Sequence, residues 1–277
     1  MQDKQYNNMT QVTRALFLAT HNDHRKVVKL LLRDERAQKA IAYGIGGKGK
    51  WDMPLFIAAR NGQDKMVGLL LKLEGTMVNW ENEEGVTSLL IAVQQGHDEV
   101  VARLLSKDNI DPNRANKDGV TPLFTAANTG KDNMVKLLLR HEAIRINMVT
   151  KMWGTSPLHV AAANGHDNIV DMLLAKEGLH VNKANRNGET PLFVAVENGN
   201  TNIVKKLLRK GGIKVNKATT VHIGPDLNLE QNYGATPLWL AVWKGLDAVV
   251  AVLLEAEGIN VNLGNDNGAT PLFIAAR

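Results

Sequence analysis

One stretch recurs along this chain at a nearly fixed spacing, and that recurrence constrains the fold more than anything else in it. Gly188-Glu189-Thr190-Pro191-Leu192-Phe193-Val194-Ala195 has close copies at 119–127, 234–242 and 268–276, and variants at 154–158 and 85–89. Trp51-Asp52-Met53-Pro54-Leu55 lacks the Gly and the Thr, and residues 14–19 form a weak first copy. The shared leucines are Leu16, Leu55, Leu89, Leu123, Leu158, Leu192, Leu238 and Leu272, with steps of 39, 34, 34, 35, 34, 46 and 34 residues. A period of this size is the signature of stacked supersecondary units, each burying its core against its neighbours.

Each residue of the signature has a physical task. The Thr hydroxyl suits a helix N-cap, where it accepts an orphan backbone N–H. Pro at the first helical position has no N–H to leave unpaired and a preset φ. Of the 8 prolines, only Pro112 and Pro225 lie elsewhere. The Gly two residues before the Thr fits a turn that needs positive φ. After the Leu, the pattern Leu-x-x-Ala-Ala/Val predicts a short helix with a small-residue face, ended by Gly62, Gly96, Gly130, Gly165, Gly199 or Gly245 as a C′ residue. Asp23 takes that place in the first copy. A second helix follows each time, with apolar residues at i, i+1, i+4 and i+5, as in 98–105 and 168–174. Each unit then ends in Val-Asn or its equivalent, through Asn79, Asn113, Asn147, Asn182, Asn216 and Asn262. An Asn there is expected to bond its own backbone and tie the loop down.

These residues resemble the ankyrin repeat: turn, helix, helix, then a loop folding outward as a β-hairpin. The resemblance covers roughly residues 14–277 and implies an all-α solenoid of paired antiparallel helices with projecting β-hairpin loops. About eight repeats are expected, the last one truncated, after a polar tail at 1–13. Where the family's Thr-Pro-Leu-His has histidine, this chain has it only at His159. Phe56, Leu90, Phe124, Phe193, Trp239 and Phe273 stand there otherwise, which predicts apolar packing in place of a histidine hydrogen-bond network. Two insertions interrupt the period, a glycine-rich finger at 37–50 and a longer loop at about 219–231. The extra residue in the step to Leu158 predicts an irregular hairpin at 148–153. With no partner helix after 277, Leu272 and Ile274 are expected to face water.

The chain's chemistry points away from catalysis. It has no cysteine, hence no disulfide, thiolate metal site or Cys nucleophile, which fits an intracellular protein, cytoplasmic or nuclear. Its opening residues are polar, and no apolar run approaches a membrane span. Gly44, Gly49 and Lys50 have phosphate-loop spacing, but Trp51 follows where a metal-binding hydroxyl is required. The pairs His97-Asp98 and His166-Asp167 share one repeat position, so they read as turn and helix-start residues rather than as metal ligands. Neither an enzyme nor a cofactor is expected. The net charge of +5 comes from lysines spread among acids, without the basic, aromatic-laced stripe that nucleic acid requires.

What the resemblance implies is a protein-protein interaction module, binding its partner on the concave face formed by hairpin tips and late first-helix positions. The alternative is a targeting or regulatory arm of a larger protein whose effector domain lies outside this chain. The residues that the repeat does not dictate are the candidate contacts: Trp243 and Tyr233 as anchors, with Trp153, Arg186, Lys151, Lys117 and Glu197 around them, on units four to seven. The basic tip row formed by Lys117, Lys151 and Arg186 suits a partner with an acidic stretch and an apolar anchor. A monomer is expected unless the incomplete last repeat docks.

Overall fold

A computed structural model describes residues 2–35, 37–38, 53–220 and 234–277. Repeat by repeat, a first and a second helix alternate. They are α1 (Gln2–His21) and α2 (Arg25–Leu31), α3 (Pro54–Arg60) and α4 (Asp64–Leu70), α5 (Ser88–Gln95) and α6 (Asp98–Leu105), α7 (Pro122–Asn128) and α8 (Asp132–Leu139), α9 (Pro157–Ala163) and α10 (Asp167–Leu174), α11 (Pro191–Glu197) and α12 (Thr201–Arg209), α13 (Pro237–Trp243) and α14 (Asp247–Leu254), then α15 (Pro271–Ala275). The polar first residues therefore share one helix with the weak first copy. Ala37 is buried and Gln38 donates its side-chain N–H to Leu32 O, so the start of the finger expected at 37–50 is packed. The rest of that finger, and residues 221–233 of the second insertion, lie outside the described residues.

The signature acts as its chemistry dictates. The hydroxyls of Thr87, Thr121, Ser156, Thr190, Thr236 and Thr270 each accept the backbone N–H three residues on. Met53, in the copy without Thr, makes no such bond. The six helix-ending glycines have φ between 65° and 88°, and Asp23 takes 54°. The marker leucines from Leu16 to Leu238 are at most 3% exposed, whereas Leu272 is 78% exposed. The other large apolar residue exposed in α15 is Phe273, at 59%, while Ile274 is half-buried. The expectation for Ile274 is thus corrected. In α13 the residue equivalent to Phe273, Trp239, is covered, and it needs a following repeat for that.

The chain forms two compact units, residues 1–126 with 136–145 and residues 127–135 with 146–277. In the first, the first helices α1, α3 and α5 pack in succession, and α4 packs on α6. In the second, α9, α11, α13 and α15 pack in succession, as do α10, α12 and α14. His97 Nε2 bonds Arg60 O at 3.0 Å, and His166 Nε2 bonds Asn128 O at 3.2 Å. Each ring lies against the helix-ending Gly of the preceding repeat, where a Cβ on Gly62 or Gly130 would come within 2.7 Å of it.

The loops depart from expectation twice. The hairpins close as turns rather than sheet, and among the described residues the single β-bridge pairs Glu81 with Thr87. Each tip is closed by one backbone bond: Asn82 to Val86, Asn116 to Val120, Thr150 to Thr155, Asn185 to Glu189, Thr219 to Ala235 and Asn265 to Ala269. Side chains do the rest. The Oδ1 atoms of Asn82, Asn116, Asn185 and Asn265 each accept the N–H groups two and four residues on, so a sheet ladder has nothing left to pair. The second insertion leaves its tip between Thr219 and Ala235 without opening the closing bond.

The second departure concerns the Val-Asn asparagines. Five of the six bond the next repeat, not their own backbone. Asn79 donates to Asn109 O at 2.7 Å and accepts from Asp111 N at 2.8 Å. Asn113 does the same with Ala143 and Arg145, Asn147 with Gly178 and His180, Asn182 with Gly212 and Lys214, and Asn216 with Gly258 and Asn260.

The histidine expectation also needs refinement. His159 Nδ1 accepts from Ser156 N, which leaves Nε2 to donate to Glu189 O at 3.0 Å. Trp239 reproduces that bond with its indole Nε1, which donates to Ala269 O at 3.0 Å. Phe193 and Leu90 fill the same position by packing alone.

Replacing Asn182 with Ala removes both bridge bonds and should cost about 1–3 kcal/mol in urea unfolding. Asn262→Ala, where the side chain makes no such bond among the described residues, should cost close to nothing. Equal losses would contradict the bridge. For His159, burial pushes the pKa down to about 4, against the bond to Glu189 O, which raises it. The unfolded chain takes up this proton near pH 6.5 and the folded one does not. The stabilisation is therefore complete above that pH and is lost as pH falls towards 4, on the order of 3 kcal/mol. His159→Phe should remove this component, so the stability difference between the two proteins should shift by that amount between pH 7 and pH 4.5. A pH-independent difference would contradict a buried neutral imidazole.

Candidate functional site

In the second unit, the tip 150–155 is one residue longer between its closing partners than the tips at 116–120 and 185–189, which is the irregularity the 35-residue step predicts. Thr150 absorbs the extra residue: its carbonyl accepts Gly154 N, and its Oγ1 accepts Thr155 N at 3.2 Å. Met152 and Trp153 are thereby turned outward, 68% and 55% exposed. Lys151 beside them is exposed as well. The neighbouring tip is fixed to this one, with Arg186 N donating to Trp153 O at 2.9 Å. The Arg186 stem runs over Gly154, where an added Cβ would touch its Cγ at 3.4 Å. The structure thus brings Lys151, Trp153 and Arg186 together. Met152 is a tip position too, and the lengthened loop exposes it beside Trp153.

The late first-helix positions are held differently. Trp243 closes α13 and stacks on the buried Trp239, with ring centroids 6.2 Å apart and planes 20° from parallel. Trp239 is itself pinned by its bond to Ala269 O, so Trp243 is half-buried on a fixed aromatic base. Next to it, Lys244 Nζ donates to Glu197 O at 2.8 Å. Glu197 is half-buried. Burial, then the Glu189 charge, raise its carboxyl above the usual range, and Lys244 opposes them. The Glu189 carboxylate accepts from Asn185 Nδ2 at 2.6 Å. Lys117 stands exposed on a tip of the first unit, where its N–H donates to Glu84 O. Tyr233 lies outside the described residues.

Among the described residues, no three His, Asp or Glu side chains converge as a metal site, and no helix is long and apolar enough to cross a membrane. The arrangement offers two indole faces, a thioether, cations on the tips and a half-buried carboxyl. These are the ingredients of a binding surface.

Family models described as ankyrin repeats match residues 16–116, 55–150, 109–185 and 143–219, and a single-repeat model matches 233–266. No curated protein matches the chain in sequence. Among solved structures, the ankyrin repeat domain of Bcl-3, titled a unique member of the IkappaB protein family, is 26% identical with a TM-score of 0.69. The alignment covers 81% of this chain and 94% of that one. The human ASB11 ankyrin repeat domain is 27% identical with a TM-score of 0.61, over 81% and 92%. EF0377, an ankyrin repeat protein, is 26% identical with a TM-score of 0.63, over 73% and 97%.

Proposed function

The chain belongs to the ankyrin repeat family, and from that premise we propose that it is a non-catalytic module that holds a protein partner on the tips and first-helix ends of its second unit. Ankyrin repeats are in general protein-protein interaction modules. The observation that carries the assignment of the face is the exposed Met152–Trp153 pair, two large apolar side chains on a tip whose neighbours are polar. Interface energy concentrates in a few aromatic and Arg anchors, and Trp153, Trp243 and Arg186 are of that kind. Lys151 and Arg186 favour an acidic stretch in the partner, with charge setting the association rate more than the affinity. Glu197, whose carboxyl is held half-buried, takes a hydrogen-bond donor from the partner. A chain without cysteines suits partners inside the cell.

A photo-reactive residue installed at Met152 or Asn198 should cross-link the partner in extracts of the cells that make this protein. The same group at Lys205, on α12, should not. Trp153→Ala and Trp243→Ala should then each weaken binding of the captured partner by about 2 kcal/mol, and Trp153→Ala should leave the melting temperature unchanged. Cross-links from Lys205 alone, or full affinity in both variants, would overturn the assignment.

A further inference from the structure

Two of the interfaces between successive second helices are held by an ion pair, and the interface between α2 and α4 has neither partner of one. Asp64, Asp98, Asp132, Asp167 and Asp247 occupy the first position of α4, α6, α8, α10 and α14. Where the sixth position of the following second helix is basic, it reaches back to that acid. Arg103 Nη2 donates to Asp64 at 2.8 Å, and Lys206 Nζ lies 3.1 Å from Asp167 and 2.7 Å from Asp171. The hydrogen bond from Arg103 holds the Asp64 carboxyl below its usual range. Lys206 is raised, its bonds to Asp171 and Asp167 outweighing burial.

Between α2 and α4 both residues of that pair are replaced, as they are between α12 and α14, where Thr201 and Val252 stand. The first position of α2 is Arg25, and the sixth position of α4 is Leu69. α2 and α4 pack less closely than α4 and α6, and a groove of about 590 Å³ lies along them. Val27 and Leu69 supply its apolar surface, and Arg25, Lys26, Lys29 and Lys65 its charge. The single carboxylate in the lining, Asp23, is 3.4 Å from Arg25 Nε. Lys26, Lys29 and Lys65 are exposed and none forms an ion pair among the described residues, although the Lys65 charge is felt by its chain neighbour Asp64. Unpaired like charges around an apolar trough repel one another, and an anion that brings its own apolar group relieves that repulsion while covering the trough. The lining holds no Phe, Tyr or Trp, and its one ring is the His24 imidazole, a poor platform for a run of stacked bases.

We infer that the groove between α2 and α4 is a docking site for an acidic peptide segment of a protein partner, whose carboxylates meet Lys26, Lys29 and Lys65 and whose apolar side chain lies on Val27 and Leu69. The site belongs to the first unit and stands independently of the tip surface proposed above.

The test is fluorescence anisotropy of the full chain with a labelled peptide, Glu-Glu-Leu-Glu-Glu-Leu-Glu-Glu. The triple variant Lys26→Glu, Lys29→Glu, Lys65→Glu should weaken binding by about tenfold or more. The conservative triple to Arg should retain it, and Leu69→Ser should weaken it several-fold. Lys205→Glu, Arg209→Glu, Lys217→Glu changes the net charge equally on the second unit and should bind as the parent does. The Tm of every variant is measured, and Trp153→Ala should have no effect here. The proposal is overturned if the peptide does not bind, if the control triple weakens it as much, or if a peptide with Ser in place of Leu binds equally well. It is also overturned if phosphatidylserine vesicles bind in a Lys26-dependent way while the peptide does not, which would make the groove a lipid-surface contact.

Discussion

The structure depends on a side-chain amide that spans from one repeat to the next. Five times, an Asn at the end of a repeat donates to a carbonyl and accepts an N–H two residues further on in the following loop. Those loops are irregular, so their backbone groups have no helix or sheet ladder to pair them, and leaving them unpaired is costly. One carboxamide supplies a donor and an acceptor at the separation of a single ladder rung. Asp lacks the donor, and Gln would have to fold an extra methylene into the same gap. The bond therefore fixes the residue type as well as the spacing, and it holds the ends of successive second helices in register.

Much of this was legible in the sequence, and the misses share a cause. Caps, helix stops and the buried leucines follow from chemistry confined to a few neighbouring residues, so Thr190-Pro191-Leu192 and Gly199 could be read directly. The partner of Asn182 could not. An Asn before a turn has an equally good local option, and the chain uses that option at Asn185, only three residues later. Which Asn bonds locally and which reaches about thirty residues on is decided by stacking, which the residue pattern does not contain. The same holds for Trp239, whose indole makes the bond that His159 makes in α9, because both rings present an N–H towards the loop of the next repeat. Phe273 rather than Ile274 faces water because helix phase, not hydrophobicity, decides which residue waits for a neighbour.

Candidate contact residues stand out only against this regular frame. Trp243 stands out by its position, since neighbouring repeats carry Arg, Gln, Asn or Glu there. Trp153 was named as a hairpin residue, but its exposure comes from one extra residue between Thr150 and Thr155, and Met152 is carried out with it. Arg25 and Leu69 are ordinary residues by themselves. They matter because two other interfaces place an ion pair at those positions, Asp64 with Arg103 and Asp167 with Lys206. In a repeat protein the internal copies serve as the control for one another.

Native-state hydrogen exchange tests the central claim most directly. The backbone N–H groups of Asp111, Arg145, His180, Lys214 and Asn260 all lie in irregular loops, and each is bonded only to the Asn of the preceding repeat. If that bridge holds the stack together, these amides open only when a whole repeat opens, and their protection should match that of the adjacent second helices. Exchange within about tenfold of the unfolded-chain rate, while those helices stay protected, would contradict the account.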